Sequence, residues 1–166
     1  MTFRVLRPFV ASHNQSIDQM IEITKNPIDT AAVLASVQSV DAGAAVLFVG
    51  STRQFTQGKE TLKLDYECYE SMALKKMQQI LDQAKSKWEI TLCSIVHRIE
   101  TVELGEASIA VAVSSPHRSD SFEAGRWLVD TLKMDVPIWK REYWADGTEE
   151  WVHPEGATPG LRPDDP

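Results

Sequence analysis

The chain has 166 residues, 43% of them apolar and 25% charged, with a formal net charge of −7. That length and balance suit one soluble domain with a real core and leave little room for a second. The acidic excess argues against a nucleic-acid binder, which needs a basic face to neutralise phosphates; no apolar run reaches the roughly 18 residues of a membrane span, and no signal-peptide core is visible.

Residues 1–17 carry Arg4 and Arg7 and no acid, and read as an N-terminal extension with one edge strand from Phe3 to Leu6. Met20 to Ile23 follows as a short strand closed by Asn26-Pro27. Asp29 is placed to cap a helix from Thr30 to Val40, with Val33, Leu34, Val37 and Val40 on one face. After the turn at Asp41-Ala42-Gly43, the apolar run Ala44 to Val49 predicts a buried strand ending at Gly50-Ser51-Thr52-Arg53. Gln54 to Lys59 reads as a flexible polar loop, and the strict alternation of Leu62 to Cys68 as a half-buried strand.

Apolar residues recurring from Ala73 to Trp88 predict a helix over 72–88, capped by Ser71, with Lys75, Lys76, Lys85 and Lys87 on its solvated side. Ile90 to Val96 is a strand ending in His97-Arg98, a dipeptide read as structural because no helix start follows it. Glu103 to Glu106 turns about Gly105 into a strand from Ala107 to Ser115. Along that strand Ile109, Val111 and Val113 alternate with the small residues Ser108, Ala110, Ala112 and Ser114, whose face admits a close-packed helix.

Asp120 and Glu123 have the spacing of a capping box for a helix over 121–134, with Phe122, Gly125, Leu128, Val129 and Leu132 turned inward. Ile138 to Trp144 is a strand, with Glu149 to Val152 as a short partner across Asp146-Gly147. Beyond 153, the Pro/Gly-rich acidic tail (154–166) reads as disordered. Helices interleaved with hairpin-like strand pairs predict an α+β domain over 18–153, with a mixed or antiparallel sheet and about three helices.

Lys133 and Lys140 lie seven residues apart with Pro137 between them. On an unbroken helix both ammonium groups would share a solvated face. Pro137 lacks an N–H and pushes Val136 into extended conformation, so Lys133 ends one helix and Lys140 lies on the strand that follows. Cations from two elements can converge on one anion. Arg53 follows a buried strand, and His117-Arg118 precedes a helix start, where free N–H groups and the helix dipole add to side-chain charge. If Trp139 and Lys140 alternate, Lys140 is expected to face the pocket. Cys68 and Cys93 are far apart and read as buried structural thiols of a reducing, cytoplasmic setting, with no metal motif. No phosphate-binding glycine loop and no serine nucleophile elbow is present. A cationic pocket without a nucleophile of its own leaves two readings open: an enzyme whose nucleophile arrives on a partner, or a non-catalytic module that binds an anion or docks a partner.

Three motifs together carry a family resemblance: Gly50-Ser51-Thr52-Arg53, Ser115-Pro116-His117-Arg118 before Phe122-Glu123-Ala124-Gly125, and Lys133 through Pro137-Ile138-Trp139-Lys140-Arg141-Glu142. In order and spacing, residues 18 to 153 resemble the large, catalytic subunit of molybdopterin synthase, although Gln54-Phe55-Thr56 stands where that family often has Asn or Asp. The resemblance implies an α/β hammerhead-type fold and a sulfurtransferase of molybdenum cofactor biosynthesis without a cofactor or metal of its own. Its substrate is cyclic pyranopterin monophosphate. Its sulfur arrives as a thiocarboxylate on the C-terminal Gly-Gly of a small ubiquitin-like carrier subunit. It implies a homodimer of large subunits within a heterotetramer. Carried over by position, Lys133 and Lys140 are the catalytic lysines. Ser51, Thr52, Arg53, His117, Arg118, Arg141 and Glu142 join them in binding substrate.

Overall fold

The computed structural model describes residues 20–152. The expected N-terminal extension, its edge strand and the acidic tail lie outside the described residues. Among the described residues, nine strands and three helices follow one another as β1 (Ile21–Thr24), α1 (Thr30–Ala35), β2 (Ala44–Ser51), β3 (Phe55–Thr56), β4 (Lys59–Cys68), α2 (Glu70–Lys87), β5 (Leu92–Arg98), β6 (Glu100–Glu103), β7 (Ala107–Ser115), α3 (Arg118–Asp135), β8 (Ile138–Trp144) and β9 (Glu149–Val152). The architecture is α+β, as the interleaving of helices and strand pairs requires.

Two sheets divide the strands. The first runs β1-β5-β7-β2, and the second runs β3-β4-β8-β9 with β6 also paired to β4. In the first sheet only the β1–β5 pair is parallel. Both faces of this sheet are covered, and the alternation along β7 decides by what. Ile109, Val111 and Val113 enter the main core with Met77, Ile80 and Leu81 of α2 and Leu128 and Leu132 of α3. Ala110 and Ala112 point the other way, where their small size lets Val33 and Val37 approach with Val96. The close-packed helix expected on that face is α1.

Gly125 of α3 sits against the same sheet: a Cβ there would come 3.2 Å from Val46 Cγ2. The chain crosses from the first sheet to the second at Ile99 and Glu100, where Glu100 adopts a left-handed φ of 65°.

Several boundaries differ from the sequence reading for local reasons. α1 stops at Ala35 rather than Val40, because the Ser36 hydroxyl lies 2.7 Å from the Val33 carbonyl and 2.8 Å from Ser94 Oγ. Val37 remains buried beyond the helix end, whereas Val40 is fully exposed. α2 begins at Glu70 after Tyr69, without a side-chain cap, so Ser71 is inside the helix. α3 begins at Arg118 after His117, and the Asp120/Glu123 box does not form. Both carboxylates serve tertiary structure instead: Asp120 accepts from Glu89 N at 3.1 Å and Glu123 from Trp88 Nε1 at 3.2 Å. Phe122 points outward and is exposed.

The segment expected as a flexible loop is the β3–β4 hairpin. Gln57 (φ 50°) and Gly58 (φ 83°) supply the left-handed backbone a two-residue turn needs. β6 carried no visible sequence signal; its four residues pair with Lys63 to Tyr66.

The turn into β2 is set by a close approach. Gly43 donates its N–H to the Ser115 carbonyl at 3.0 Å, and a Cβ at Gly43 would overlap the carbonyl oxygen of Pro116. That oxygen is backbone at the head of α3 and has no rotamer with which to move away. Gly43→Ala is therefore expected to destabilise the fold by about 1–3 kcal/mol, the usual cost of overpacking, measured by urea denaturation at constant m-value.

Candidate functional site: a cation-rimmed cavity between the sheets

Pro137 shapes the site. Val136 at the α3 C-cap has ψ 128°, extended as the residue before a proline must be. The helix stops two residues beyond Lys133, at Asp135, and β8 starts at Ile138. Along β8, Ile138, Lys140 and Glu142 point to one side, and β4 places Cys68, Tyr66 and Leu64 opposite them in register. Leu64, Tyr66, Ile138, Lys140 and Glu142 thereby form one wall of a cavity of about 700 Å³, within the range of small-molecule sites. The other wall comes from the first sheet through Gly50, Ser51, His97, Ser108 and Ile109, and from the end of α3 through Asp130 and Lys133. Arg53 and Thr56 close the rim.

Arg53, Lys133 and Lys140 therefore share one cavity, together with Ser51 and Glu142. Lys140 Nζ lies 3.4 Å from Glu142 Oε2, and Glu142 is only 3% exposed. This carboxylate is held inside the wall, where it orients the ammonium group. Lys133 Nζ lies 5.7 Å from the centre of the Phe48 ring. Arg53 Nε lies 3.5 Å from Thr56 Oγ1. Among the described residues neither Arg53 nor Lys133 has a carboxylate partner, so both charges are available to a ligand. Trp139 is buried on the opposite side of β8, and Lys140 is the residue that faces the pocket.

The remaining sequence candidates lie elsewhere on the chain. His117 and Arg118 are exposed and line a separate depression of about 440 Å³ with Ser119, Phe122 and Glu123. Thr52 is buried behind Ser51, its N–H bonded to Glu106 O at 3.0 Å and its Oγ1 without a partner. Arg141 belongs to the outer face of the second sheet. Its guanidinium lies within 3.9 Å of Asp65, Glu67 and Glu149 and stacks between Tyr143 and Trp151, 5.2 and 4.9 Å from the ring centres. Strand alternation dictates this: neighbours on β8 cannot both face the cavity.

Besides Thr56 on the rim, three neutral polar residues of the cavity were not anticipated. Tyr66, His97 and Ser108 come from β4, β5 and β7. Their meeting depends on how two sheets pack, for which a single sequence carries no signal. Within His97-Arg98 the arginine is structural: it is buried, bonded to Glu106 Oε2 at 2.8 Å and to the Thr101 carbonyl at 2.9 Å. His97 lines the cavity. Its Nδ1 lies 2.8 Å from the Arg98 carbonyl, and burial pushes its imidazole down to about 4. Tyr66 packs edge-on against it, ring centres 5.1 Å apart, and burial raises the Tyr66 hydroxyl above its usual range.

Neither cysteine lines the cavity. Burial pushes the Cys68 thiol up to about 11 and that of Cys93 up to about 12, so at neutral pH both are protonated and poor nucleophiles.

Fold and cavity define an α+β protein with a cation-rimmed cavity where a helix hands over to a strand between two sheets. The chain belongs to the MoaE protein family, whose model matches residues 23–135. It is 42% identical over 149 residues to the molybdopterin synthase catalytic subunit of Bacillus subtilis, an alignment covering 88% of this chain and 94% of that one. The crystal structure of molybdopterin synthase from Staphylococcus aureus superposes with a TM-score of 0.75 at 40% identity, covering 79% of this chain and 95% of that chain. A chain of the protein–protein complex of subunits 1 and 2 of the Helicobacter pylori molybdopterin-converting factor, 20% identical with a TM-score of 0.64, has the same fold and covers 80% of this chain and 88% of its own.

The buried neutral imidazole has a consequence for pH. Its folded value of about 4 lies below the ordinary 6.5, so the unfolded chain takes up the proton first as pH falls. The contribution is whole above about pH 6.5 and is lost between there and about pH 4. Between pH 7 and pH 4.5 His97 is expected to account for roughly 2–3 kcal/mol of lost stability. Urea unfolding at both pH values should show a smaller loss in His97→Gln than in the native chain.

Proposed function

We propose that this protein is the catalytic subunit of a cytoplasmic molybdopterin synthase. It transfers sulfur from the C-terminal thiocarboxylate of a small ubiquitin-like carrier subunit to cyclic pyranopterin monophosphate, forming the dithiolene of molybdopterin. The observation that carries this reading is the convergence of Lys133 and Lys140, from the two sides of Pro137, on one cavity with Arg53. The chain's likeness to molybdopterin synthase catalytic subunits supports it.

The chemistry follows from what the cavity contains and what it lacks. It holds cations, and the chain's two thiols are protonated and lie outside it, so the sulfur nucleophile is brought in. A thiocarboxylate is an anion. A tail carrying it into the cavity is attracted by Lys133 and Lys140, which keep it ionised and reactive. The same ammonium groups stabilise negative charge growing on substrate oxygens and donate a proton to a leaving oxygen. Glu142 holds Lys140 in place from inside the wall. Arg53, with Ser51 beside it, takes the substrate's phosphate. His117 and Arg118 join the proposed binding set from the separate depression at the N-terminus of α3, where backbone N–H groups add to their charge; Thr52, buried behind Ser51, is placed in the set by the family resemblance alone. Arg141, three carboxylates around it, acts as a brace for the strand that carries Lys140. The assembly is a homodimer of these chains within a heterotetramer, with one carrier on each.

Single-turnover formation of dithiolene product, with a thiocarboxylated carrier and cyclic pyranopterin monophosphate, tests the reading. The native chain is expected to yield product. Lys133→Ala and Lys140→Ala should each lose at least about 100-fold in rate at saturating substrate, with a smaller change in substrate affinity. Variants that bind weakly yet turn over normally when saturated would assign the lysines to binding alone. A native chain that binds carrier and substrate but makes no product would place the protein among docking modules.

A further inference from the structure

The rim cations Arg53, Lys133 and Lys140 are all hydrogen-bond donors without acceptor capacity. They suit a phosphate or a thiocarboxylate. A pyranopterin also presents an aminopyrimidine edge, whose amino and ring N–H groups donate and so need acceptors. Glu142 already lies 3.4 Å from Lys140, and the Ser108 hydroxyl donates its proton to the Gly50 carbonyl at 3.2 Å, so it keeps acceptor lone pairs but in an orientation set by that bond.

His97 differs from both. Its Nδ1 lies 2.8 Å from the Arg98 carbonyl. A carbonyl only accepts, so Nδ1 carries the proton and Nε2 keeps a lone pair. The ring makes no other hydrogen bond among the described residues. Nε2 is not among their enclosed, unpartnered side-chain atoms, which are Thr52 Oγ1, Thr61 Oγ1, Arg98 Nε, Arg141 Nε and Trp144 Nε1. The atom is therefore open to the cavity that the ring lines. Tyr66, edge-on with an interplanar angle of 73°, fixes the ring's orientation.

We propose that His97 Nε2 is the acceptor that reads the aminopyrimidine edge of the bound substrate, a neutral counterpart to the cationic rim that takes its phosphate. The inference rests on the substrate class proposed above and assigns one face of it. Burial holds the ring neutral, with its proton affinity down at about 4. The lone pair thus persists at pH 7, and no further positive charge is added beside the lysines. Ser108 and Tyr66 complete a neutral floor.

Calorimetric titration of the full-length chain with cyclic pyranopterin monophosphate, and separately with inorganic phosphate, tests this. His97→Phe keeps a ring and removes the acceptor; it is expected to weaken pyranopterin binding about tenfold or more and to leave phosphate binding within about twofold. His97→Gln, whose amide oxygen can stand where Nε2 stands, should recover most of the loss. His97→Asn, whose amide reaches only the Nδ1 position, should behave like His97→Phe and decides the matter if the phenylalanine variant does not fold. Undiminished pyranopterin binding in His97→Phe or His97→Asn, or an equal loss for both ligands, would overturn the inference. Failure of the native chain to bind the pyranopterin would overturn the functional reading and this inference with it.

Discussion

Pro137 cannot supply a backbone N–H, and its ring excludes the helical conformation at the residue before it. α3 therefore ends at Asp135 and the chain leaves Val136 extended, directly into β8. Everything at the cavity depends on that change of period. Before the proline, side chains repeat every 3.6 residues, and Lys133 is carried on the last helical turn. After it they alternate, and Lys140 arrives on the inward face with Ile138 and Glu142 beside it. A continuous helix would have put both lysines in water on one stripe. The break turns two surface charges into two walls of one site.

The same alternation separates opposing tasks on a single strand. Inward residues of β8 meet the ligand space, while outward residues brace the sheet. Lys140 and Arg141 are adjacent and both cationic, yet Arg141 is surrounded by Asp65, Glu67 and Glu149, with Asp65 also accepting from Tyr143 Oη at 2.7 Å and Thr101 Oγ1 at 2.6 Å. The neighbouring cations and these hydroxyls hold the Asp65 carboxyl below its usual range even though burial opposes them. The outer face is thus internally compensated. On the inner face Glu142 and Asp130 stand against Lys140, Lys133 and Arg53, which still leaves a surplus of one positive charge in a protein whose net charge is −7. A local field opposite in sign to the whole molecule draws small anions to one place without making the surface broadly sticky for nucleic acid.

Much of the scaffold was legible in the sequence because periodicity is a local property. The alternation of Ile109, Val111 and Val113 with Ala110 and Ala112 identified β7 as a strand with two different partners, and the structure supplies α2 and α3 on one side and α1 on the other. Errors fell where local signals had more than one use. Asp120 and Glu123 have capping-box spacing, but Trp88 and the Glu89 N–H claim their carboxylates. Phe122 fits the apolar stripe of α3 yet lies exposed. β6 is held by pairing with β4, and its own four residues state no preference strong enough to announce it.

What the sequence determined by itself was the set of charged groups at chain reversals and the break at Pro137, since residue identity and backbone sterics need no distant partner. Those two facts were enough to set Lys133 and Lys140 on different elements; that Lys140 rather than Trp139 turns inward was an expectation that alternation alone does not decide. Only the tertiary structure decided which cations share a cavity. Arg53 joins the lysines because β2 and β8 belong to sheets that face each other across it, whereas His117 and Arg118, similar in type and position, open onto a different depression. The neutral floor of Tyr66, His97 and Ser108 was likewise settled by packing alone. Its members come from β4, β5 and β7, and no local rule links residues whose only relation is that two sheets bring them together.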